Sequence, residues 1–233
     1  MTTASSELPI RVVCATRLRR EEFFGNSPTG RSLAALRITS PIELALYATN
    51  TAGLGEVYNQ AIEQCAAQPR ILVFVHDDCL IADFYWAERV RQGLREFEIV
   101  GVVGNRRRVP RQRSWIILDS SGRQDDPINL SGAVGQGLHF PPQRLDVFGA
   151  ARLECKLLDG VFLASSSETL HARGLRFDPR FSFHFYDMDF CRSAEQLGCR
   201  MGTIPLSLVH ASEGALDDAW MSAYRAYLAK WSE

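Results

Sequence analysis

Apolar positions along the chain fall into two kinds of segment. Residues 10–15, 42–48, 71–75 and 99–103 are short apolar runs rich in β-branched residues, the pattern of strands set in the interior of an α/β sheet. Between them the spacing changes. Leu54, Val57, Tyr58, Ala61, Ile62 and Cys65 recur three and four apart, which predicts a helix over 54–67 with one buried face. Phe84, Trp86 or Ala87, Val90 and Leu94 predict another over 84–97, and 31–36 a shorter one, after a polar stretch over 18–30 that carries Gly25, Pro28 and Gly30. The order is βαβαβ, which implies parallel strands with crossover helices.

The second half is less regular. Residues 120–137, rich in Ser, Gly and Asp, read as a loop or irregular hairpin. Strands over 146–155 and 156–158 lead into Asp159-Gly160, and 161–164 is again apolar. A short helix over 168–173 is stopped by Gly174, and a helix starting near Asp187 buries Phe190, Cys191, Ala194 and Leu197 before Gly198 stops it. A strand over 199–204 precedes 205–210, which ends in His210. Residues 215–231 place Leu216, Trp220, Ala223, Tyr224, Leu228 and Trp231 on one helical face, for packing on the body or for a partner, a lid or a membrane surface.

Length and charge narrow the classes. At 233 residues the chain suits one large α/β domain, and 26 basic against 27 acidic residues leave a formal charge of -1, so no global field favours nucleic acid. No apolar run approaches the roughly 18 residues of a membrane span, and residues 1–9 lack the basic and apolar regions of a secretory signal. A soluble, cytoplasmic protein is expected. Cys14, Cys65, Cys79, Cys155, Cys191 and Cys199 contain no CxxC pair and read as reduced core thiols, which argues against zinc. A basic run, Arg106, Arg107, Arg108, Arg111 and Arg113, fits either a solvated loop or an anion or acceptor contact.

Candidate chemistry gathers at three places. The run Ile71 to Val75 stops at His76, Asp77 and Asp78, where an α/β sheet opens its ligand crevice at the strand's carboxyl end. Adjacent carboxylates there need a divalent cation or donors to offset their charge, or one of them caps the next helix. The second place is the aromatic stretch 177–191, which surrounds Asp187 and Asp189 at a helix start, where an N-cap accounts for one of the pair, Asp189 the better candidate, but not both. The third is His210, at the end of an apolar run, as a structural or a functional imidazole.

These stretches, in order, resemble the landmarks of family 2 glycosyltransferases with the GT-A fold: residues 51–62 (TAGLGEVYNQAI), 72–78 (LVFVHDD), 158–164 (LDGVFLA), 177–191 (FDPRFSFHFYDMDFC) and Val209-His210. The similarity is narrower still to the branch related to a streptomycin-biosynthesis protein, and runs from about residue 10 to 212. It implies a Rossmann-like α/β domain over 1–233, with a central, mainly parallel sheet flanked by helices. A nucleotide-binding half would cover about 10–105, an acceptor half about 106–212 and a C-terminal helix about 215–231. The implied activity is a metal-dependent, inverting, hexosyltransferase-like transfer of a sugar from a nucleotide-diphosphate donor to the hydroxyl of a saccharide, lipid-linked or protein acceptor.

The resemblance also implies roles. The family's DxD-type motif matches His76-Asp77-Asp78, with His76 where an acid often stands, Asp78 on the metal and Asp77 on the ribose or metal shell. His210 matches a further metal ligand, which makes Mn2+ as well as Mg2+ plausible. The acidic pair that carries the base matches Tyr186-Asp187, with Tyr186 in place of the first acid and Asp187 as the catalytic base. Thr16, Arg17 and Asn50 fall where relatives bind the nucleobase. Asp159-Gly160 borders the sugar or acceptor, or simply makes a tight turn. Two rival functions are a non-catalytic nucleotide-sugar-binding subunit and a sugar nucleotidyltransferase. The latter lacks support because Cys14-Ala-Thr-Arg17 is not a Gly-rich, basic signature.

Overall fold

The structure, a computed structural model, describes residues 8–37, 41–212, 214 and 216–233. The polar start over 1–7 and Ala215, the first residue of the expected C-terminal helix, lie outside the described residues. The first half follows its pattern: β1 (Ile10–Ala15), β2 (Ile42–Tyr47), α3 (Leu54–Glu63) and β3 (Ile71–Val75). All five side chains of β3 are buried. Each such apolar side chain stabilises the fold by about 1.5–3 kcal/mol relative to exposure.

The stretch over 18–30 is not the polar connection that its Gly and Pro content predicts. It holds α1 (Arg20–Asn26) and the start of α2 (Pro28–Leu36). Ser27 caps α2 by accepting from the Gly30 amide, and Pro28 sits at the first helical position, where its missing N–H costs nothing. Gly30 is required by contact, because a Cβ there would strike the Phe23 carbonyl of the preceding helix. Helix α4 (Trp86–Glu96) starts later than the spacing predicts. Phe84 therefore precedes it and is 70% exposed rather than inward.

The remaining strands are β4 (Cys79–Ile81), β5 (Ile99–Gly101), β6 (Val103–Asn105), β7 (Leu130–Gln136), β8 (Arg144–Gly149), β9 (Glu154–Cys155), β10 (Leu157–Leu158), β11 (Phe162–Ser166), β12 (Met201–Thr203) and β13 (Leu208–His210). Helices α5 (Ser167–Ala172), α6 (Tyr186–Gln196) and α7 (Asp218–Trp231) complete the chain. The larger sheet has the order β2-β1-β3-β11-β5-β12-β9, with helices packed against it. It is mixed: β1 runs parallel to both β2 and β3, whereas β11 enters antiparallel between β3 and β5. The smaller sheet runs β10-β6-β7-β13-β4, with β8 on β7.

Three segments depart from the pattern, two of them because the chain changes sheet. The apolar run 99–103 divides into β5 and β6, which belong to different sheets. The Ser- and Gly-rich segment 120–137 contains β7, whose small residues let neighbouring strands approach. A Cβ at Gly132 would meet the Val102 carbonyl. The strand expected over 146–155 breaks into β8 and β9, with Arg152 between them in the left-handed region at φ 65°. Helix stops at Gly174 and Gly198 are as the spacing predicts, with φ 63° and 72°. The six cysteines are free and buried.

Helix α7 packs on the body through α6. Asp189 is fully buried and accepts from Lys230 Nζ at 2.8 Å and from Trp231 Nε1 at 2.9 Å. The basic run joins the same latch. Arg108 pairs with Glu233 at 3.5 Å, the Arg111 amide donates to Glu233 at 2.6 Å, and Arg113 lies 4.6 Å over the Trp220 ring. Arg107 instead pairs with buried Asp125 at 2.5 Å. Replacing Asp189 leaves Lys230 with Asp178 but orphans the Trp231 N–H. Asp189→Ala is expected to lower unfolding stability by roughly 2–3 kcal/mol in urea titration, and a loss under about 0.5 kcal/mol would refute this role.

Candidate active site

The site begins at the end of β3, where a fully buried strand meets three polar residues. The turn over 76–79 is held by groups from the α1–α2 corner. Thr29 Oγ1 lies 2.5 Å from the His76 carbonyl and 2.6 Å from the Cys79 carbonyl, and accepts from the Cys79 amide at 3.2 Å. Ser27 Oγ donates to the Asp77 carbonyl at 2.6 Å. The Asp77 carboxylate turns toward β1 and accepts from Thr16 Oγ1 at 2.6 Å. Thr16 also receives the Leu18 amide, and its carbonyl receives the Asn50 amide, so the ends of β1, β2 and β3 are tied together. Asn50 turns its side chain onto Ala52, and Arg17 is exposed.

Asp78 points the other way, toward β13. His210 Nε2 lies 3.4 Å from Asp78 Oδ2 and 3.2 Å from Ser212 Oγ. Burial by itself would raise the Asp78 pKa. Hydrogen bonds from His210 and Ser212 and the His210 charge more than offset it, holding the carboxyl well below its ordinary range. Burial likewise opposes a charged His210, but the Asp78 hydrogen bond and charge raise its pKa above the ordinary imidazole value. His76, Asp78 and His210 each present a ligand atom within 4.8 Å of the others. Two imidazoles and a carboxylate at that separation are a chemically suitable donor set for a divalent cation.

A cleft of about 850 Å³ opens beside this group. Its walls include His76, Asp159, Asp187 and His210, with Phe183, Phe185 and Trp220 on the side of α6 and α7. Asp187 stands in the first turn of α6, whose N-cap is Phe185 in the left-handed region at φ 64°. An N-cap therefore accounts for neither aspartate. Asp187 Oδ2 accepts from the Gly160 amide at 2.9 Å and Oδ1 from the Met188 amide at 2.8 Å. Burial and the neighbouring Asp159 charge raise the Asp187 pKa to about 7, despite these two donors. Asp159 itself accepts the Val161 amide through Oδ1 at 3.0 Å, so Asp159-Gly160 makes a turn and lines the cleft as well.

The fold thus brings His76, Asp78, Asp159, Asp187 and His210 to one region, with Thr16, Asp77 and Asn50 adjoining it on the β1 side. Asp189 is not among them, since it is committed to Lys230 and Trp231. The motifs gave no reason to single out Ser27 and Thr29, although Ser27-Pro28 is a legible helix start.

No protein-family model matches the chain. No curated protein matches it in sequence. Solved structures do match. The structure of GalNAc-T7 with UDP, GalNAc and Mn2+ superposes with a TM-score of 0.52 at 12% identity, over 97% of this chain and 48% of that one. A197 from STIV gives 0.48 at 11% identity over 88% and 87% of the two chains. TarS 1-349 from S. aureus gives 0.46 at 12% identity over 88% and 60%. The chain has the GT-A fold, and spans about half the length of the GalNAc-T7 chain.

The raised Asp187 pKa couples stability to pH. Below about pH 4 the carboxyl is protonated in both folded and unfolded chains. Between about pH 4 and 7 only the folded chain keeps the proton, so stability falls as pH rises through that window. Asp187→Asn removes the charge. In EDTA-treated protein the variant should gain on the wild type by about 1 kcal/mol or more from pH 5 to pH 8 in urea unfolding. Parallel pH profiles of the two would refute the assignment.

Proposed function

We propose that the protein is a metal-dependent, inverting glycosyltransferase that moves a sugar from a nucleotide-diphosphate donor to an acceptor hydroxyl. The observation that carries this reading is the meeting, in one cleft of a GT-A fold, of a cation-type donor set and a half-buried carboxylate whose pKa is raised to about 7. The GalNAc-T7 structure, which contains UDP, GalNAc and Mn2+, supports it by its likeness of fold. In this reading the chain works as one domain. Residues 10–105 serve mainly the nucleotide and 106–212 mainly the acceptor.

Asp78 and His210, with His76 beside them, would hold Mn2+ or Mg2+. When bound, the cation offsets charge on the diphosphate of the donor. Thr16 and Asp77 form a hydrogen-bonded pair suited to the ribose, and Asn50 and Arg17 would serve the base. Asp187 accepts the proton of the acceptor hydroxyl as that oxygen attacks the anomeric carbon from the face opposite the leaving diphosphate, so configuration inverts. The Gly160 and Met188 amides fix the direction of its carboxylate, and Asp187 lines the cleft. A pKa near the working pH lets one group be both deprotonated before the step and basic enough to take the proton.

Two variants separate binding from chemistry. Asp187→Asn should retain UDP affinity while turnover falls about 100- to 10,000-fold, the usual worth of a general base. Unimpaired turnover would remove Asp187 from the reaction. Asp78→Ala should lose the Mn2+-dependent part of UDP binding. The screen that finds the donor is a thermal-shift panel of nucleotide sugars with and without Mn2+, since a ligand of the folded state raises Tm. UDP binding without transfer to any acceptor would instead favour a nucleotide-sugar-binding subunit.

A further inference from the structure

The two positions at which this chain departs from the acids of the resembled pattern are in contact. His76 Nε2 lies 2.8 Å from Tyr186 Oη, and Tyr186 Oη lies 2.7 Å from the Gly160 carbonyl oxygen. A carbonyl only accepts, so the single phenolic proton belongs on the bond to Gly160. Otherwise two oxygens would meet lone pair to lone pair at that distance. Tyr186 Oη must then accept from His76, which requires the imidazole proton on Nε2. A neutral imidazole protonated there carries its lone pair on Nδ1.

Nothing in this chain of bonds is free to turn. Tyr186 is buried and packs its ring 5.8 Å from Tyr58 and 6.0 Å from Phe177. Residue 160 is glycine because a Cβ would strike the Tyr186 hydroxyl and, on its other side, Asp187. The His76 ring is stacked by Phe183 at 5.8 Å and faces His210 with ring centroids 6.0 Å apart.

We propose that Tyr186 is a positioning residue that holds His76 in the Nε2–H tautomer, so that Nδ1 joins Asp78 and His210 as a third ligand and biases the site toward Co2+ over Mg2+. The inference rests on the nucleotide-sugar reading only for the presence of a cation. The preference follows from the donors. Mg2+ favours an oxygen shell, whereas imidazole nitrogen suits the later transition metals, and two of the three protein ligands here are imidazoles. Outer partners that orient a ligating histidine commonly change metal affinity about 10- to 100-fold when removed.

The test uses the full chain, stripped of metal, in two measurements. Nitrogen-15 NMR of labelled histidine, assigned with His76→Gln, reads the tautomer. Calorimetric titration with Co2+ and Mg2+ reads affinity in the wild type, Tyr186→Phe and His76→Asp. His76 should be an Nε2–H ring, and Co2+ should bind at least about tenfold more tightly than Mg2+. Tyr186→Phe should lose the single tautomer and weaken Co2+ about 10- to 100-fold. His76→Asp should shift preference toward Mg2+. An Nδ1–H ring in the wild type, equal affinity for the two metals, or unchanged Co2+ binding in Tyr186→Phe would each overturn the proposal. The wild-type tautomer decides even if Tyr186→Phe does not fold. UDP binding measured beside these titrations keeps the two readings apart. UDP binding with the histidine signatures absent sinks the ligand set alone. The signatures present without UDP binding sink the nucleotide-sugar reading alone.

Discussion

The structure depends on how a strand with no wet face ends in charge. β3 is covered on both sides, so the backbone and carboxylates of the turn that follows must find partners inside the protein. The corner between α1 and α2 supplies them. The Thr29 hydroxyl, set between two carbonyls and one amide, and the Ser27 hydroxyl together satisfy the turn from below. With the backbone held in this way, Asp77 and Asp78 diverge. One carboxylate is directed to Thr16 at the head of β1, the other to His210 at the end of β13. A single short turn thereby links the two sheets and separates the two acids, which relieves the repulsion that adjacent carboxylates would otherwise feel.

The second sheet explains the other half of the site. β13 runs parallel to β7 and antiparallel to β4, so it returns His210 to the turn it left at Cys79. β11 inserts antiparallel beside β3, and the Asp159-Gly160 turn before it therefore comes to the same edge of the sheet as His76. The His76 amide donates to the Val161 carbonyl at 3.3 Å, a direct backbone tie between the two. Helix α6 then sets Tyr186 and Asp187 against Gly160. Its first turn donates amides toward the cleft, yet Asp187 keeps a raised pKa because burial and Asp159 outweigh two hydrogen bonds. A carboxylate in this state stores proton affinity, which is the property a base requires.

How much of this was legible depended on the kind of pattern. The buried run of β3, the helical spacing of α3 and the glycine stops after α5 and α6 are local signals, and each appears where its residues predict. The same holds for the chemistry-bearing positions at strand ends, because a strand's length fixes where its polar residues emerge. What was illegible is pairing. No local feature of 130–136 distinguishes a strand of small residues from a loop, since its Gly and Ser positions are chosen by the close approach of β6 and β8. The antiparallel entry of β11 is likewise a long-range fact. Asp189 misleads for a related reason. Its place near Asp187 suggests a shared site, but residues two apart on a helix point in different directions, and Asp189 faces α7.

That contact with α7 also decides what the arginine run does. Isolated surface ion pairs contribute little, but Arg192 and Glu233 are only 12% and 11% exposed, and Arg108 shares the same carboxylate. Desolvated groups of this kind cost more to separate than to leave joined, so at Arg108 the run is neither solvated nor a free anion contact, whereas Arg106, Arg107 and Arg111 lie exposed in the loop. Arg113 adds its face to Trp220, and Trp220 forms part of the cleft wall. The helix that closes the chain is thus fastened at both ends, by Arg113 on its first turn and by Asp189 and Arg108 on its last. Through Trp220 it adds an aromatic surface to a cleft that His76, Asp159, Asp187 and His210 also line. Asp187 lines the same cleft, where burial and the Asp159 charge raise its pKa.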